Sequence, residues 1–266
     1  MGKIVNLLHL SDLHFGMETT SKTPQSAVDQ RNLTLRDLIK ALEGIDSHWW
    51  PDVVAITGDI AWAGKESDYK KAATWINDQL LPTLELGPER MVICPGNHDI
   101  DRNKTTAMFV PPSQKDADNS LKLEYLSNFD GCFEGFIDFC CDKVNVPAPR
   151  IGDQKNYLTG VVDLEGLRFV VLNSAWFCRG DNDQNKLWLG KPLLETLDAR
   201  DQLIDVEHYD QPHTPITVAL FHHPKAWLNE AEARTYSYRK STLEFLSERV
   251  HLLLNGHVHA RPGRPD

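Results

Sequence analysis

The residues Val53-Val54-Ala55-Ile56-Thr57-Gly58-Asp59 decide how this chain folds and where its polar chemistry lies. The first five are apolar or β-branched, which predicts a buried strand. Loops at strand ends, held in place by a rigid sheet, are the usual location of catalytic groups. Gly58 lets the backbone approach bound ions closely, and a carboxylate at Asp59 could bridge two cations about 3.5–4 Å apart. The stretch therefore predicts a strand that delivers an acid to a metal site.

Four further segments repeat this arrangement of a predicted strand followed by polar donors. They are Asp12-Leu13-His14, Gly96-Asn97-His98-Asp99, His222-His223 and Gly256-His257-Val258-His259. Asp, Asn and His offer only oxygen and nitrogen donors, which suit divalent ions such as Mn, Fe or Zn. Because these donors outnumber the ligands of one tetrahedral zinc, they predict two cations that share a bridging group.

The spacing inside the segments predicts which side chains act together. Asp12 and His14 are two residues apart just past a predicted strand. In an extended chain such residues point to the same side, so we expect both to reach one ion. His257 and His259 have the same spacing and carry the same expectation.

The length and the net charge of the chain limit the classes of protein to which it can belong. The chain has 266 residues, of which 41% are hydrophobic, so one large domain is expected and two small ones are the alternative. The net charge of −10 disfavours broad electrostatic binding of duplex DNA. It is compatible with a phosphate substrate, because two divalent cations would reverse the sign of the charge locally.

Cysteine usage and hydropathy bear on the compartment. The five cysteines are odd in number and show no metal-ligand spacing, which predicts reduced thiols in a cytoplasmic protein. The early apolar run 4–10 leads straight into Ser11-Asp12 and predicts a strand rather than a signal peptide. No apolar stretch approaches the ~20 residues of a transmembrane helix, so we expect no membrane partner.

Strand and helix patterns alternate along the chain. Periodicity predicts strands over 4–10, 53–57, 91–94, 157–164, 167–172, 216–221 and 251–254, and helices through 35–45, 69–80, 193–206 and 241–249. The second helix is predicted to stop near Pro82, and Glu165-Gly166 predicts a two-residue hairpin turn. This alternation favours two stacked sheets flanked by helices.

Two segments fall outside this alternation. Residues 103–156 hold Pro111-Pro112, a polar run and an aromatic-rich predicted helix, and end in Pro147-Ala148-Pro149. We expect this segment to be an insertion that caps the site. Residues 260–266 contain two prolines and a glycine, and they predict a linker toward a further C-terminal region or domain.

The ordered motifs Asp-x-His, Gly-Asp, Gly-Asn-His-Asp, His and Gly-His-x-His span residues 12–259. This order resembles the calcineurin-like metallophosphoesterase superfamily. The resemblance implies an α/β (α+β) fold for residues 1–266, a four-layer αββα sandwich of two mixed β-sheets flanked by helices. Superfamily members usually continue with further strands after the last motif, and we do not expect residues 260–266 to form one.

The resemblance also implies a ligand set for each of two divalent cations, whether Mn, Fe or Zn. The sets are Asp12, His14 and His259 for one cation, Asn97, His222 and His257 for the other, and Asp59 between them. His98 would not bind metal. Hydroxide formed from a water shared by the cations would attack phosphorus in line, and His98 would assist the leaving oxygen.

Two positions keep alternative roles. Neighbours in an extended chain point to opposite sides, so one of His222 and His223 is predicted to be a ligand and the other not. The order of motifs favours His222, which leaves His223 as a buried group behind the ligands or in the core. Asp99 is expected either to orient a nearby imidazole or to cap a turn or helix.

The predicted activity is hydrolysis of a phosphate ester, with a diester preferred. The stretch 9–16 looks like the cyclic-nucleotide phosphodiesterase and nuclease branches of the superfamily, so we expect a nucleotide-type substrate. The Gly-Asp-x-x-Asp-Arg-Gly motif of Ser/Thr protein phosphatases is absent, because Ile60-Ala61-Trp62-Ala63 follows Asp59.

Three alternatives accompany this prediction. A DNA or RNA nuclease domain of a larger protein would bind nucleic acid, although the acidic charge argues mildly against it. A phosphomonoesterase would use the same donors. A non-catalytic scaffold of the same fold is the alternative from another class, and the intact ligand set with His98 disfavours it.

Overall fold

Two β-sheets form the centre of the molecule. The computed structural model describes residues 4–21, 23–105, 110–180, 182–204, 214–236 and 239–258. Within them one sheet has three strands in the order β1-β2-β3, and the other has six in the order β5-β4-β6-β7-β8-β9. The strands are β1 Leu7–Leu10, β2 Val53–Thr57, β3 Met91–Cys94, β4 Arg150–Ile151, β5 Gln154–Lys155, β6 Gly160–Leu164, β7 Leu167–Val171, β8 Ile216–Leu220 and β9 Leu252–Leu254.

Helices cover the outer faces of both sheets. They are α1 Gln25–Glu43, α2 Glu66–Trp75, α3 Leu81–Leu84, α4 Gln114–Ser120, α5 Asp130–Asp138, α6 Lys191–Asp198, α7 Glu230–Ala233 and α8 Thr242–Ser247. None of the helices in the described ranges is long and apolar enough to cross a membrane. Two sheets flanked by helices confirm the predicted fold class.

Strand direction differs between the sheets. The described strands of the smaller sheet pair only in parallel, because a helical crossover returns the chain to the same end before β2 and β3. The prediction of a mixed sheet therefore does not hold for this sheet. The larger sheet is mixed, with antiparallel pairs from β4 to β7 and parallel pairs from β7 to β9.

Strand β2 is buried on both faces, as its sequence predicts. Val53 and Ala55 join the apolar layer between the sheets, where they meet side chains such as Phe169 of β7. Val54 and Ile56 point the other way, into the cluster that includes the helical residues of α1 and α2. Successive side chains of β2 therefore point to opposite faces of the sheet and pack into two different hydrophobic cores.

The predicted turn between β6 and β7 is confirmed. Glu165 and Gly166 both have positive φ, 52° and 82°, which is the conformation of a two-residue type I′ hairpin. The helix predicted to stop near Pro82 ends two residues later, at Leu84. A π-helical segment, Ile76–Leu80, carries α2 directly into α3, so the helix passes through Pro82.

The segment 103–156 contains α4, α5 and the short strands β4 and β5. Four of its phenylalanines, Phe129, Phe133, Phe136 and Phe139, join the main core. The rings of Phe129 and Phe133 lie edge-on to Trp176 at 5.1 and 6.2 Å. A capping role for this segment stays a prediction. The linker predicted at 260–266 and residues 205–206 of the third predicted helix lie outside the described residues.

Candidate metal centre

The predicted metal-binding segments meet at the carboxyl ends of β1, β2, β3, β8 and β9. Their backbones are bonded to one another as the strands end. The Asp12 N–H donates to the Gly58 carbonyl at 3.2 Å, and the Gly256 N–H donates to the His222 carbonyl at 2.9 Å. Parallel strands place these loops at one edge, so residues far apart in sequence become neighbours.

The backbone of the site is left-handed at several donors. Asp12, His14, Asp59 and His257 have φ of 58°, 49°, 54° and 71°. The extended-chain argument for Asp12 and His14 is therefore wrong, since the chain turns at both residues. They do come together, with Asp12 Oδ1 3.9 Å from His14 Nε2. Backbone strain of this kind is typical of functional sites that the surrounding fold holds in place.

Glycines allow the loops to lie directly on one another. A Cβ added to Gly58 would be 2.7 Å from the Gly96 nitrogen, and one added to Gly96 would be 2.3 Å from Asp59 Oδ1. Real Cβ atoms do not approach so closely, and Gly58 also has a φ of 79°. The glycine of each motif is thus required for the contact between motifs.

Asp59 lies at the centre of the cluster and is only 1% exposed. Its Oδ2 is 3.1 Å from His222 Nε2 and 4.0 Å from His14 Nε2. Its Oδ1 accepts the backbone N–H of His98 at 2.8 Å. Burial alone would raise the pKa of Asp59, but attraction to these three histidines outweighs it and lowers the pKa. The carboxylate therefore stays ionised and attracts cations.

The His222 imidazole has one nitrogen tied to the backbone and one directed at the carboxylate. Its Nδ1–H donates to the Thr57 carbonyl at 2.7 Å, which directs Nε2 at Asp59 Oδ2, 3.1 Å away. His257 Nδ1 lies 3.2 Å from the same Nε2. Although burial opposes it, the nearby Asp59 raises the pKa of His222 to about 9. In the metal-free chain the His222 proton therefore supplies the positive charge beside Asp59, and a divalent cation with N and O ligands could take its place.

Three overlapping groups of donors lie close enough to hold cations. Within each group the ligand atoms are within 4.8 Å of one another. The groups are His222, His223 and His257; His14, Asp59 and His98; and Asp12, Asp59 and His222. The structure thus brings together every predicted aspartate and histidine donor except His259, which lies outside the described residues. Asn97 joins the cluster through its Oδ1, 3.0 Å from His223 Nε2.

The adjacent histidines do not diverge as predicted. The ring centroid of His223 is 4.8 Å from that of His222 and 4.6 Å from that of His257. The chain bends directly after β8, so the alternation of an extended strand does not apply. Both imidazoles face the centre, and their hydrogen bonds, not their direction, distinguish them.

Asp99 fastens the Asp59 loop to the Asn97 loop. Its carboxylate accepts the N–H groups of Ile60, Ala61 and Gly96 at 3.1, 3.0 and 2.9 Å. The buried Tyr69 hydroxyl donates to the same carboxylate at 3.2 Å. Burial and the charge of Asp59 raise the pKa of Asp99. Of the two roles predicted for Asp99, these contacts match the capping of a turn, extended to a second loop.

Replacing Asp99 with asparagine is expected to lower the free energy of unfolding of the metal-free protein by about 2–3 kcal/mol. An amide NH₂ in place of one carboxylate oxygen would face backbone donors and leave buried N–H groups without an acceptor. Urea denaturation measures the loss. The control is Asp37→Asn on the exposed face of α1, for which we expect a change within about 0.5 kcal/mol. An equal effect of both variants would contradict this role of Asp99.

Two tryptophans contact the centre and were not predicted as site residues. The Trp62 ring stacks on His98 at 4.8 Å, and its carbonyl accepts the His98 Nδ1–H at 2.6 Å. The Trp227 ring lies edge-on to His257 at 4.0 Å. Trp62 stands three residues after Asp59, which is the one sequence signal that could have identified it.

Comparison with known proteins places the chain in a family. No curated protein matches it at a significant level of sequence similarity. Among solved structures, phosphopantetheinyl hydrolase (PptH) from Mycobacterium tuberculosis is 14% identical with a TM-score of 0.38, covering 96% of this chain and 83% of that chain. Another solved structure is 12% identical with a TM-score of 0.36, covering 95% of this chain and 83% of that chain. Similarities at this level say nothing about the substrate.

The decisive match is to a family model. The model of the calcineurin-like phosphoesterases aligns with residues 5–261, which is nearly the whole chain. The five motifs and the convergent donors lie inside this range. The chain therefore belongs to the calcineurin-like phosphoesterase family and is a hydrolase acting on phosphoric ester bonds.

Proposed function

We propose that this chain hydrolyses a phosphodiester of the nucleotide type, such as a cyclic nucleotide, with two divalent cations bound at the centre. The observation that carries the proposal is the convergence on one buried carboxylate, Asp59, of histidines from three separate loops, His14, His98 and His222. We further propose that the protein is cytoplasmic, in line with an odd number of cysteines that show no metal-ligand spacing.

The ligand sets are proposed as the motifs imply them. One cation would be held by Asp12, His14 and His259, the other by Asn97, His222 and His257, and both by Asp59. The hydrogen bonds support His222 over His223, because His222 Nε2 points at Asp59, whereas both ring nitrogens of His223 are bonded to Ser174 and Asn97. The identity of the cations, Mn, Fe or Zn, is left to measurement.

The chemistry divides between the cations and the chain. When bound, divalent cations supply positive charge for the phosphoryl oxygens and lower the pKa of a shared water to near neutrality. His98 supplies a proton. Its Nδ1–H is held by the Trp62 carbonyl, so Nε2 is the nitrogen that can deliver a proton to the leaving oxygen. The stacked indole of Trp62 restricts the rotation of the ring.

The preference for a diester rests on the stretch 9–16, which resembles the cyclic-nucleotide phosphodiesterase and nuclease branches of the superfamily. A protein phosphatase is disfavoured, because Trp62 and Ala63 stand where its motif has an acid and an arginine. The nuclease, monoesterase and scaffold alternatives use the same fold, and they are distinguished by the substrate that is turned over.

The test compares two chromogenic substrates in the presence of Mn²⁺. We expect kcat/KM for bis(para-nitrophenyl) phosphate to exceed that for para-nitrophenyl phosphate by at least about tenfold. The Asp59→Asn variant serves as the blank. Dominant monoester turnover would overturn the diester proposal in favour of a phosphomonoesterase. No turnover of either substrate by protein with cations bound would favour the scaffold.

A second comparison separates a cyclic-nucleotide phosphodiesterase from a nuclease. Cyclic nucleotides and single-stranded DNA are offered to the same preparation. We expect turnover of the cyclic nucleotide to dominate, because the net charge of −10 does not favour a long polyanion. Cleavage of DNA alone would identify the nuclease.

A further inference from the structure

We propose that Ser174 and His223 are positioning residues that hold the Asn97 amide in the orientation needed to bind the second cation. The proposal rests on the proposed function in one respect, which is that Asn97 is a ligand. The three residues come from three different strand ends, after β7, β8 and β3. All three are buried, with exposed fractions of 0% for Ser174, 1% for His223 and 7% for Asn97.

The direction of the first hydrogen bond follows from the chemistry of the two groups. His223 Nε2 lies 3.0 Å from Asn97 Oδ1. An amide oxygen only accepts hydrogen bonds, so Nε2 must carry the hydrogen. This holds whether the ring is neutral or charged. The amide oxygen has a second lone pair, which stays available for a cation.

The second hydrogen bond fixes the ring itself. His223 Nδ1 lies 2.8 Å from Ser174 Oγ, and the backbone N–H of His223 donates to the same oxygen at 3.1 Å. With Nε2 protonated in a neutral ring, Nδ1 accepts the Ser174 hydroxyl hydrogen. Ser174 therefore contacts both the backbone and the ring of His223, and it prevents the imidazole from rotating.

The loop that presents Ser174 is itself fixed. Asn173 Oδ1 accepts the Ala175 N–H at 2.7 Å, which closes a tight turn directly around Ser174. The hydrogen bonds thus run from a rigid turn after β7, through His223, to Asn97. Partners that lie behind a ligand in this way commonly change metal affinity by about 10–100-fold when they are removed.

The same contacts exclude His223 from the ligand set. Both of its ring nitrogens are engaged, one with Asn97 and one with Ser174. The two adjacent histidines therefore have different roles, with His222 as a ligand and His223 as the residue that orients the neighbouring ligand Asn97. This division predicts different results for a ligand variant and for a positioning variant.

The test measures Mn²⁺ binding instead of turnover. Isothermal titration gives the affinity of each site, and electron paramagnetic resonance separates a spin-coupled Mn pair from an isolated ion. For Ser174→Ala and His223→Phe we expect the second Mn²⁺ to bind about 10–100-fold more weakly than in the wild type, with the first site unchanged. For Asn97→Ala we expect the second site to be lost.

The control is Thr159→Val, which removes another fully buried hydroxyl. The Thr159 hydroxyl donates to the Val171 carbonyl oxygen at 3.1 Å. It is expected to leave both Mn²⁺ affinities unchanged. Unchanged affinity in Ser174→Ala and His223→Phe would overturn the proposal. Loss of the site in His223→Phe to the same extent as in Asn97→Ala would overturn it as well, because His223 would then be a ligand. If the wild type binds two Mn²⁺ but hydrolyses no diester, the proposed function is refuted. The Mn²⁺ affinities of the variants then still decide whether Ser174 and His223 position Asn97.

Discussion

Replacing His98 with alanine is expected to lower kcat for a cyclic nucleotide by about 10²–10⁴-fold while the cations remain bound. The leaving group of such a diester is a sugar hydroxyl, which departs poorly unless it is protonated. His98 can protonate it because the Trp62 carbonyl occupies Nδ1 and leaves Nε2 for the substrate. The loss should be smaller for bis(para-nitrophenyl) phosphate, whose phenolate departs without a proton.

Two measurements check this expectation for His98. Steady-state kinetics on both substrates give the ratio of losses, and metal analysis gives the number of cations per chain. The matched control is His48→Ala, an exposed histidine before β2 at the opposite end of the sheet, which should leave kcat unchanged. Because His98 also stands in a donor group with His14 and Asp59, loss of a cation in His98→Ala would show that it is a ligand. Equal losses on both substrates would contradict the role of proton donor.

Replacing Asp59 with asparagine is expected to reduce bound Mn²⁺ from about two ions per chain to about one or fewer, and to lower kcat at least about 10³-fold. The amide has one oxygen and no charge, so it cannot hold two cations together. It would also place an NH₂ group or a neutral oxygen beside His222, whose Nε2 now lies 3.1 Å from the carboxylate. Both consequences arise from the central position of Asp59.

Metal analysis after gel filtration in Mn²⁺ measures the binding, and turnover of the chromogenic diester measures the rate. Asp37→Asn makes the same chemical change on the exposed surface of α1 and should alter neither quantity. An Asp59→Asn protein that kept two cations and more than about a tenth of the activity would remove Asp59 from the bridging position. Circular dichroism distinguishes such effects from loss of the fold.

The strand at the centre of the fold was predictable because its pattern is local. Five successive apolar or β-branched residues, Val53–Thr57, form β2 with the predicted bounds. The hairpin turn at Glu165-Gly166 was predictable for the same reason, since positive φ at both positions is a property of those two residues. The helix through Pro82 was not, because side-chain packing and a π-helical segment overrode the local signal.

The site shows where a local rule fails. The i, i+2 rule predicts that Asp12 and His14 reach one ion, and the two side chains do lie 3.9 Å apart. Its premise of an extended chain is wrong, because both residues adopt a left-handed backbone. The same rule separated His222 from His223, and the bend after β8 brings both to the centre. The alternation of side-chain directions holds only in an extended chain. It fails in loops at strand ends, where the chain turns and catalytic groups usually lie.

The sequence by itself determined the donor types, their order and the strand ends that carry them, because each of these is written in a few adjacent residues. Only the tertiary structure decided what each donor does. The Thr57 carbonyl that occupies His222 Nδ1 is 165 residues away in the chain, and the Asn97 oxygen that accepts from His223 is 126 residues away. Which nitrogen of an imidazole is engaged depends on such remote partners, so the division of roles that we propose for the adjacent histidines arises only in the folded chain.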